Sequence, residues 1–277
     1  MANTLRSALK RAFRRQNRRV TLRPGRIETF PFTSEIFGNT REVTVYLPAS
    51  YDERGSQQAY PVLYMHDGQN LFDPMRSFIP GQHWRLREAA DLVIGTRKAR
   101  PMIIVGLDNM GAQRIDEYTP THDSKRDAGG RADEYARMLL DEVRPMIAAK
   151  YRTQPGRENT AVGGSSLGGL LTLHLALAHP EEFGAAAAMS PSVWWDNRAI
   201  LEEVERFEGP RPRIWLDIGG REGIEALRDA RRLRDRLRAS GWTDDEDLHY
   251  HEDRRADHSE RAWAARVTQV LEFLFPA

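Results

Sequence analysis

The chain of 277 residues contains no cysteine. That excludes a disulfide framework, a thiolate nucleophile, a Cys-ligated metal and an iron–sulfur cluster. No apolar run approaches the ~18 residues of a membrane span, which excludes an integral membrane protein. Lysine is scarce, since 37 of the 41 cationic side chains are Arg. Net charge is almost absent at +1, but its distribution is uneven. Residues 1–26 hold nine basic groups (Arg6, Lys10, Arg11, Arg14, Arg15, Arg18, Arg19, Arg23 and Arg26) and no acid, so the remaining chain carries a net −8. The pattern is a basic arm, residues 1–26, on an acidic body, residues 27–277. An apolar content of 40% is enough for a sizeable core at this length.

The arm lacks the 7–15-residue apolar segment of a secretory signal, so a cytoplasmic protein is expected. Leu5, Leu9 and Phe13 recur every four residues among cations, the spacing of a short amphipathic basic helix. Such a helix suits docking on the acidic body, a subunit contact, or a weak contact with an anionic surface of lipid or nucleic acid. Oligomeric state is not legible.

From Arg26 the periodicity changes. Ile27–Phe30 and Arg41–Leu47 alternate around the turn signal at 37–40, which predicts an antiparallel hairpin ending at Pro48. Beyond it, short apolar runs alternate with amphipathic segments. Strands are expected at 60–66, 102–107, 160–164, 183–190, 213–218 and 248–252. Helices are expected at 84–94, 132–151, 167–178, 223–240 and 260–275, with Pro145 kinking the second or opening a new first turn. This order predicts a single α/β domain: a mostly parallel sheet with helices on both faces and reactive residues in the loops after the carboxyl ends of strands.

One such loop carries chemistry. Gly164-Ser165-Ser166-Leu167-Gly168 is a G-x-S-x-G motif between a strand and a helix. The glycines let strand and helix approach while the serine hydroxyl projects above the sheet on a strained turn. Ser166 is therefore the candidate nucleophile; centring the pattern on Ser165 loses the second glycine. A phosphate-binding loop is disfavoured because no Lys follows the glycines. A serine nucleophile needs a general base, and the base needs an orienting acid, in the chain order serine, acid, histidine. His258 lies in the polar loop after the last strand, whereas His249 and His251 are fixed within that strand. For the acid, Glu222 in the turn 219–223 is preferred to Asp217, which lies inside a strand and reads as a buried acceptor.

The backbone N–H groups of Leu167 and Gln69 are the expected oxyanion donors, with Gly68 freeing the loop to turn. Arg114 is a candidate substrate contact, though pairing with Glu117 is the preferred reading. Trp194 and Trp195 are candidates for the walls of a cleft or for the anchor of their loop. A metal site on His66, Asp67 and Asp73 is disfavoured, because no companion His has ligand spacing.

The segments 62–72, with its His66-Asp67-Gly68-Gln69 run, 163–169, 190–195, 219–222 and 257–263 together resemble the Putative esterase family, which includes enterochelin-type siderophore esterases, esterase D, feruloyl esterase domains and mycolyltransferases. The resemblance runs from about Arg26 to the C-terminus. It implies an α/β-hydrolase fold without a separate cap domain, and cofactor-independent hydrolysis of a small-molecule carboxylic ester through an acyl-enzyme. It places Ser166 as nucleophile, Glu222 as acid, His258 as base, and Gln69 and Leu167 at the oxyanion. Members differ in using Asp, Glu or no acid. Acyl transfer on the same residues is the alternative reaction, and a binding protein acting through the basic arm is the alternative class.

Overall fold

A computed structural model describes residues 23–277; the basic helix expected around Leu5, Leu9 and Phe13 lies outside the described residues. The hairpin forms as β1 (Arg26–Ser34) and β2 (Asn39–Leu47), with Arg26 opening β1 opposite Leu47. The remaining sheet strands are β3 (Val62–Met65), β4 (Ile103–Leu107), β7 (Thr160–Ser165), β8 (Ala185–Met189), β9 (Arg213–Gly219) and β10 (Leu248–Asp253). Their spatial order is β1-β2-β4-β3-β7-β8-β9-β10. The first three pair antiparallel, and every later pairing is parallel. The two-stranded ribbon β5 (His122–Asp123) and β6 (Ala128–Gly129) stands apart from the sheet.

Every residue of β3, β4 and β8 is buried, as expected for strands covered on both faces. Alternate residues of β3 feed two cores. Val62 and Tyr64 face the layer built from α2 (Ala132–Arg137), α3 (Arg144–Lys150), α4 (Leu167–Ala178), α5 (Ile200–Glu205) and α6 (Ile224–Ala239). Leu63 and Met65 face α1 (Leu86–Gly95) and α7 (Glu260–Leu274). α4 lies between sheet and surface helices and is buried along almost its whole length. On it, His174 sits between the carboxylates of Asp133 and Glu203, at 3.0 and 2.9 Å.

The long helix expected over 132–151 is divided. A π-helical segment, Met138–Val143, separates α2 from α3, and Pro145 falls in the first turn of α3. Proline has no N–H for the α-helical bond and its ring crowds the carbonyl four residues earlier; a wider turn just before it relieves both.

The chain crosses from β3 to β4 on one side and reaches β7 on the other. The carboxyl ends of β3 and β7 therefore flank the point where strand order reverses, the crevice in which ligands of open α/β sheets bind.

Candidate active site

Ser166 is the residue between β7 and α4, with φ 59° and ψ −122°. A non-glycine residue in that region is strained, and the surrounding structure must hold it there. Its N–H donates to the Met189 carbonyl at 3.0 Å, and its carbonyl accepts from Ser192 and Leu170. Gly164 makes the turn sterically feasible: a Cβ there would lie 2.9 Å from backbone atoms of Gly168 and 3.0 Å from the His66 ring.

Ser166 Oγ lies 3.0 Å from His258 Nε2, and His258 Nδ1 lies 2.6 Å from Glu222 Oε2. The three groups come from the loops after β7, β9 and β10 and form one hydrogen-bonded row. The His258 ring packs edge-on against Trp263, with centroids 5.0 Å apart. Its side chain is 45% exposed, while that of Glu222 is 3% exposed. Burial opposes ionisation of Glu222. Hydrogen bonds from His258, Ser190 and the Gly219 N–H outweigh it and hold the carboxyl below its ordinary value.

Asp217, the competing acid, lies on β9 and shares no hydrogen bond with His258, whose Nδ1 is taken by Glu222. It accepts from the Ser190 N–H, Trp215 Nε1 and two nitrogens of Arg266, and is fully buried. This is the buried-acceptor role expected of it. The network it anchors was not anticipated. Ser190 Oγ donates to Glu222 at 2.7 Å and accepts from Trp263 Nε1 and Arg266 Nη2. Asp217 thus fixes Arg266, and Arg266 and Trp263 fix the hydroxyl that holds Glu222. The only sequence signal was that Ser190 follows a strand; partners 73 and 76 residues away carry none.

The loop after β3 approaches from the other side. Asp67 has φ 56°, and Gly68 packs so tightly that a Cβ would lie 2.7 Å from the Gly106 backbone of β4. Leu167 N–H opens α4, where the first N–H groups of a helix lack intrahelical acceptors. Gln69 sits in the short turn Gly68–Asn70, beside the same crevice, and its side chain accepts from the Asn109 N–H. His66 is buried; burial drives its ring down to about 3, so it is neutral, with Nδ1 3.1 Å from the Tyr135 hydroxyl.

Two expectations are corrected. Arg114 does not pair with Glu117. Its Nε and Nη2 grip Asp67 bidentately at 2.7 and 2.8 Å, and Glu117 is taken by Arg41 of β2 in a fully buried pair. Asp67, a member of the metal grouping that the sequence disfavours, has its carboxylate engaged by Arg114 and Asn109. The paired tryptophan wall separates into two roles. Trp195 is 1% exposed and donates to the Thr121 carbonyl, so it anchors the loop, whereas Trp194 is 42% exposed and lines a pocket.

Two pockets meet at Ser166 and His258. One, of about 220 Å³, is bounded by Asp67, Asn70, Phe78, Arg114, Glu260 and Trp263. The other, of about 310 Å³, is bounded by Ser192, Trp194, Ile218 and Ala226.

Residues 34–274 match the model of the family described as Putative esterase. The chain belongs to this family. Membership makes it a carboxylic ester hydrolase. Uncharacterized protein YbbA of Bacillus subtilis is 25% identical over 87% of this chain and 95% of its own length. Iron(III) salmochelin esterase of Escherichia coli is 29% identical over 74% of this chain, and the match spans 48% of that protein. The chain thus spans less than half of this siderophore esterase. Among solved structures, the BES protein of Bacillus cereus superposes with a TM-score of 0.73 at 21% identity, over 91% of this chain and 95% of that one. An enterobactin esterase of Shigella flexneri, solved with enterobactin, gives 0.71 at 21% identity over 90% and 58%. These two share the α/β-hydrolase fold with this member of the esterase family. No described helix is long and apolar enough to cross a membrane.

Proposed function

We propose that the protein hydrolyses small-molecule carboxylic esters through an acyl-enzyme on Ser166. The observation that carries this reading is the row Ser166 Oγ–His258–Glu222, at 3.0 and 2.6 Å. His258 Nε2 takes the hydroxyl proton as Ser166 attacks the ester carbonyl. Glu222 accepts from His258 Nδ1–H, which fixes the tautomer that leaves Nε2 free as base and stabilises the imidazolium that forms. Leu167 and Gln69 N–H groups stabilise the tetrahedral oxyanion. The imidazolium then protonates the departing alkoxide. Water, deprotonated by the same His258, attacks the acyl-enzyme and releases the acid.

The siderophore esterases among its relatives support a siderophore-type ester as substrate. Trp194 and Arg114 each border one of the two pockets at Ser166 and are assigned to substrate contact. A cytoplasmic setting and contact of the basic segment of residues 1–26, whose last residue Arg26 opens β1, with anionic surfaces belong to the same proposal. Fractionation, and salt-dependent binding to anionic vesicles with and without those residues, test them.

A fluorophosphonate probe is expected to label the wild-type protein and to leave Ser166→Ala unlabelled. Labelling that survives the substitution overturns the nucleophile assignment. Product analysis with added alcohols separates hydrolysis from transfer.

A further inference from the structure

We propose that Glu260 makes the pocket between Phe78 and Trp263 a recognition site for a hydrogen-bond-donating group, an ammonium or a hydroxyl, on the ester; this rests on the serine-hydrolase reading above. Besides Ser166 and His258, the pocket's polar lining is Asp67, Asn70, Asn109, Arg114, Ser165 and Glu260, and Asn70 Oδ1 already accepts from the Phe78 N–H and the Ser77 hydroxyl. Asp67 and Arg114 neutralise each other, and Asn109 donates to Asp67. Glu260 is different. It is 7% exposed, opens α7 and lines the pocket, yet among the described residues its carboxylate accepts no hydrogen bond and has no cation within 4 Å.

The Glu260 carboxylate touches solvent only through the pocket, and a largely enclosed carboxylate with no protein donor is less well solvated than one in open water. The N-terminus of α7 offsets part of that, because the free N–H groups and helix dipole there favour negative charge. Arg114 adds a longer-range attraction. Neither supplies a hydrogen bond, so the acceptor is left for whatever enters the pocket. Phe78, 81% exposed at the rim, and Trp263 on the inner side supply apolar flanks. The complementary ligand has an apolar body and a donor tip, with the tip in the pocket that Glu260 shares with Ser166. A merely structural Glu260 would act on helix stability and leave discrimination between substrates untouched.

The test uses matched p-nitrophenyl esters of hexanoic, 6-hydroxyhexanoic and 6-aminohexanoic acid, and a second trio of hexanoate esters whose alcohol ends in methyl, hydroxyl or ammonium. In at least one trio, wild-type kcat/KM for a donor-bearing ester is expected to exceed that for the methyl analogue about tenfold or more, the scale of one hydrogen bond to a charged group. Glu260→Leu is expected to erase this preference, mainly through KM. Glu260→Gln guards against a folding defect in the first variant and separates the two ligand classes: it loses the ammonium preference if charge is read, and keeps most of a hydroxyl preference. Ratios equal in wild type and both variants, across both trios, overturn the proposal while fluorophosphonate labelling still stands. Absence of both labelling and turnover in the wild type overturns the serine-hydrolase reading, and this inference with it.

Discussion

Glu222 and Asp217 sit on one strand and its following turn, and exchanging each for its amide should separate their roles. Glu222→Gln keeps the size and the hydrogen bonds available from Ser190 and Gly219. It replaces the acceptor of His258 Nδ1–H with a group that can offer a donor instead. The imidazole then loses the tautomer that frees Nε2 for Ser166, and the imidazolium loses its counter-charge. In serine triads that change costs about 10⁴ in kcat. Stability should change little, because among the described residues no cation other than His258 pairs with Glu222. Asp217→Asn acts in the opposite way. Asp217 is fully buried and compensates the buried Arg266, two of whose nitrogens lie 3.1 and 2.9 Å away. Removing one partner of such a pair costs about 3–5 kcal/mol. For a chain this long, with ~2–4 °C per kcal/mol, the midpoint of thermal unfolding should fall by roughly 6–20 °C. Per folded molecule, kcat should fall less than about tenfold, since Ser190 and Trp263 still hold the row. The assay is kcat normalised by fluorophosphonate titration, with calorimetry on the same samples. If Asp217→Asn loses about 10⁴ in kcat at an unchanged unfolding midpoint, and Glu222→Gln does not, the acid has been misassigned.

Two further outcomes are expected. Trp194→Ala should raise KM several-fold with little effect on stability, whereas Trp195→Ala should cost about 3–5 kcal/mol; urea titration alongside Michaelis kinetics distinguishes them, and equal stability losses would refute the split of roles. Burial opposes the charge on His174, but Asp133 and Glu203 raise it to about 9 against an ordinary value of 6.5. A group raised on folding adds stability that is full below the unfolded value and fades as pH rises through the folded one. The gap in thermal midpoint between wild type and His174→Asn should therefore be widest near pH 6 and narrow toward pH 10, and a gap independent of pH would exclude the charged form.

The fold was largely legible because its strands announce themselves. Val62–Met65 and Ile103–Leu107 are continuous apolar runs, and the β1–β2 hairpin alternates cleanly on either side of its turn. The ribbon β5–β6 was not, since two residues per strand are too few to show a period. The row of Ser166, Glu222 and His258 was readable because each follows a strand, so topology alone brings them to one edge. Arg114 was misjudged for the converse reason. Glu117, three residues on, was the visible partner, but Arg41 reaches it from β2 across 76 residues, and Asp67 lies 47 residues before Arg114. Ion pairs of that span leave no local pattern. Glu260 was passed over because a Glu just after an N-cap serine reads as ordinary helix chemistry.

The order of the row along the chain has a consequence for reactivity. Ser166 is in place once β7 and α4 have formed, but a serine hydroxyl without its base is no more reactive than an alcohol in water. His258 lies in the loop that leads into α7, and Trp84, just before α1, packs at a tilt against Trp263 of that helix. A molecule in which α7 is undocked therefore carries an inert nucleophile. Fluorophosphonate labelling accordingly reports whether α7 is docked, and a substitution at the Trp84–Trp263 contact that loosens α7 should lower it while leaving most helical circular dichroism in place.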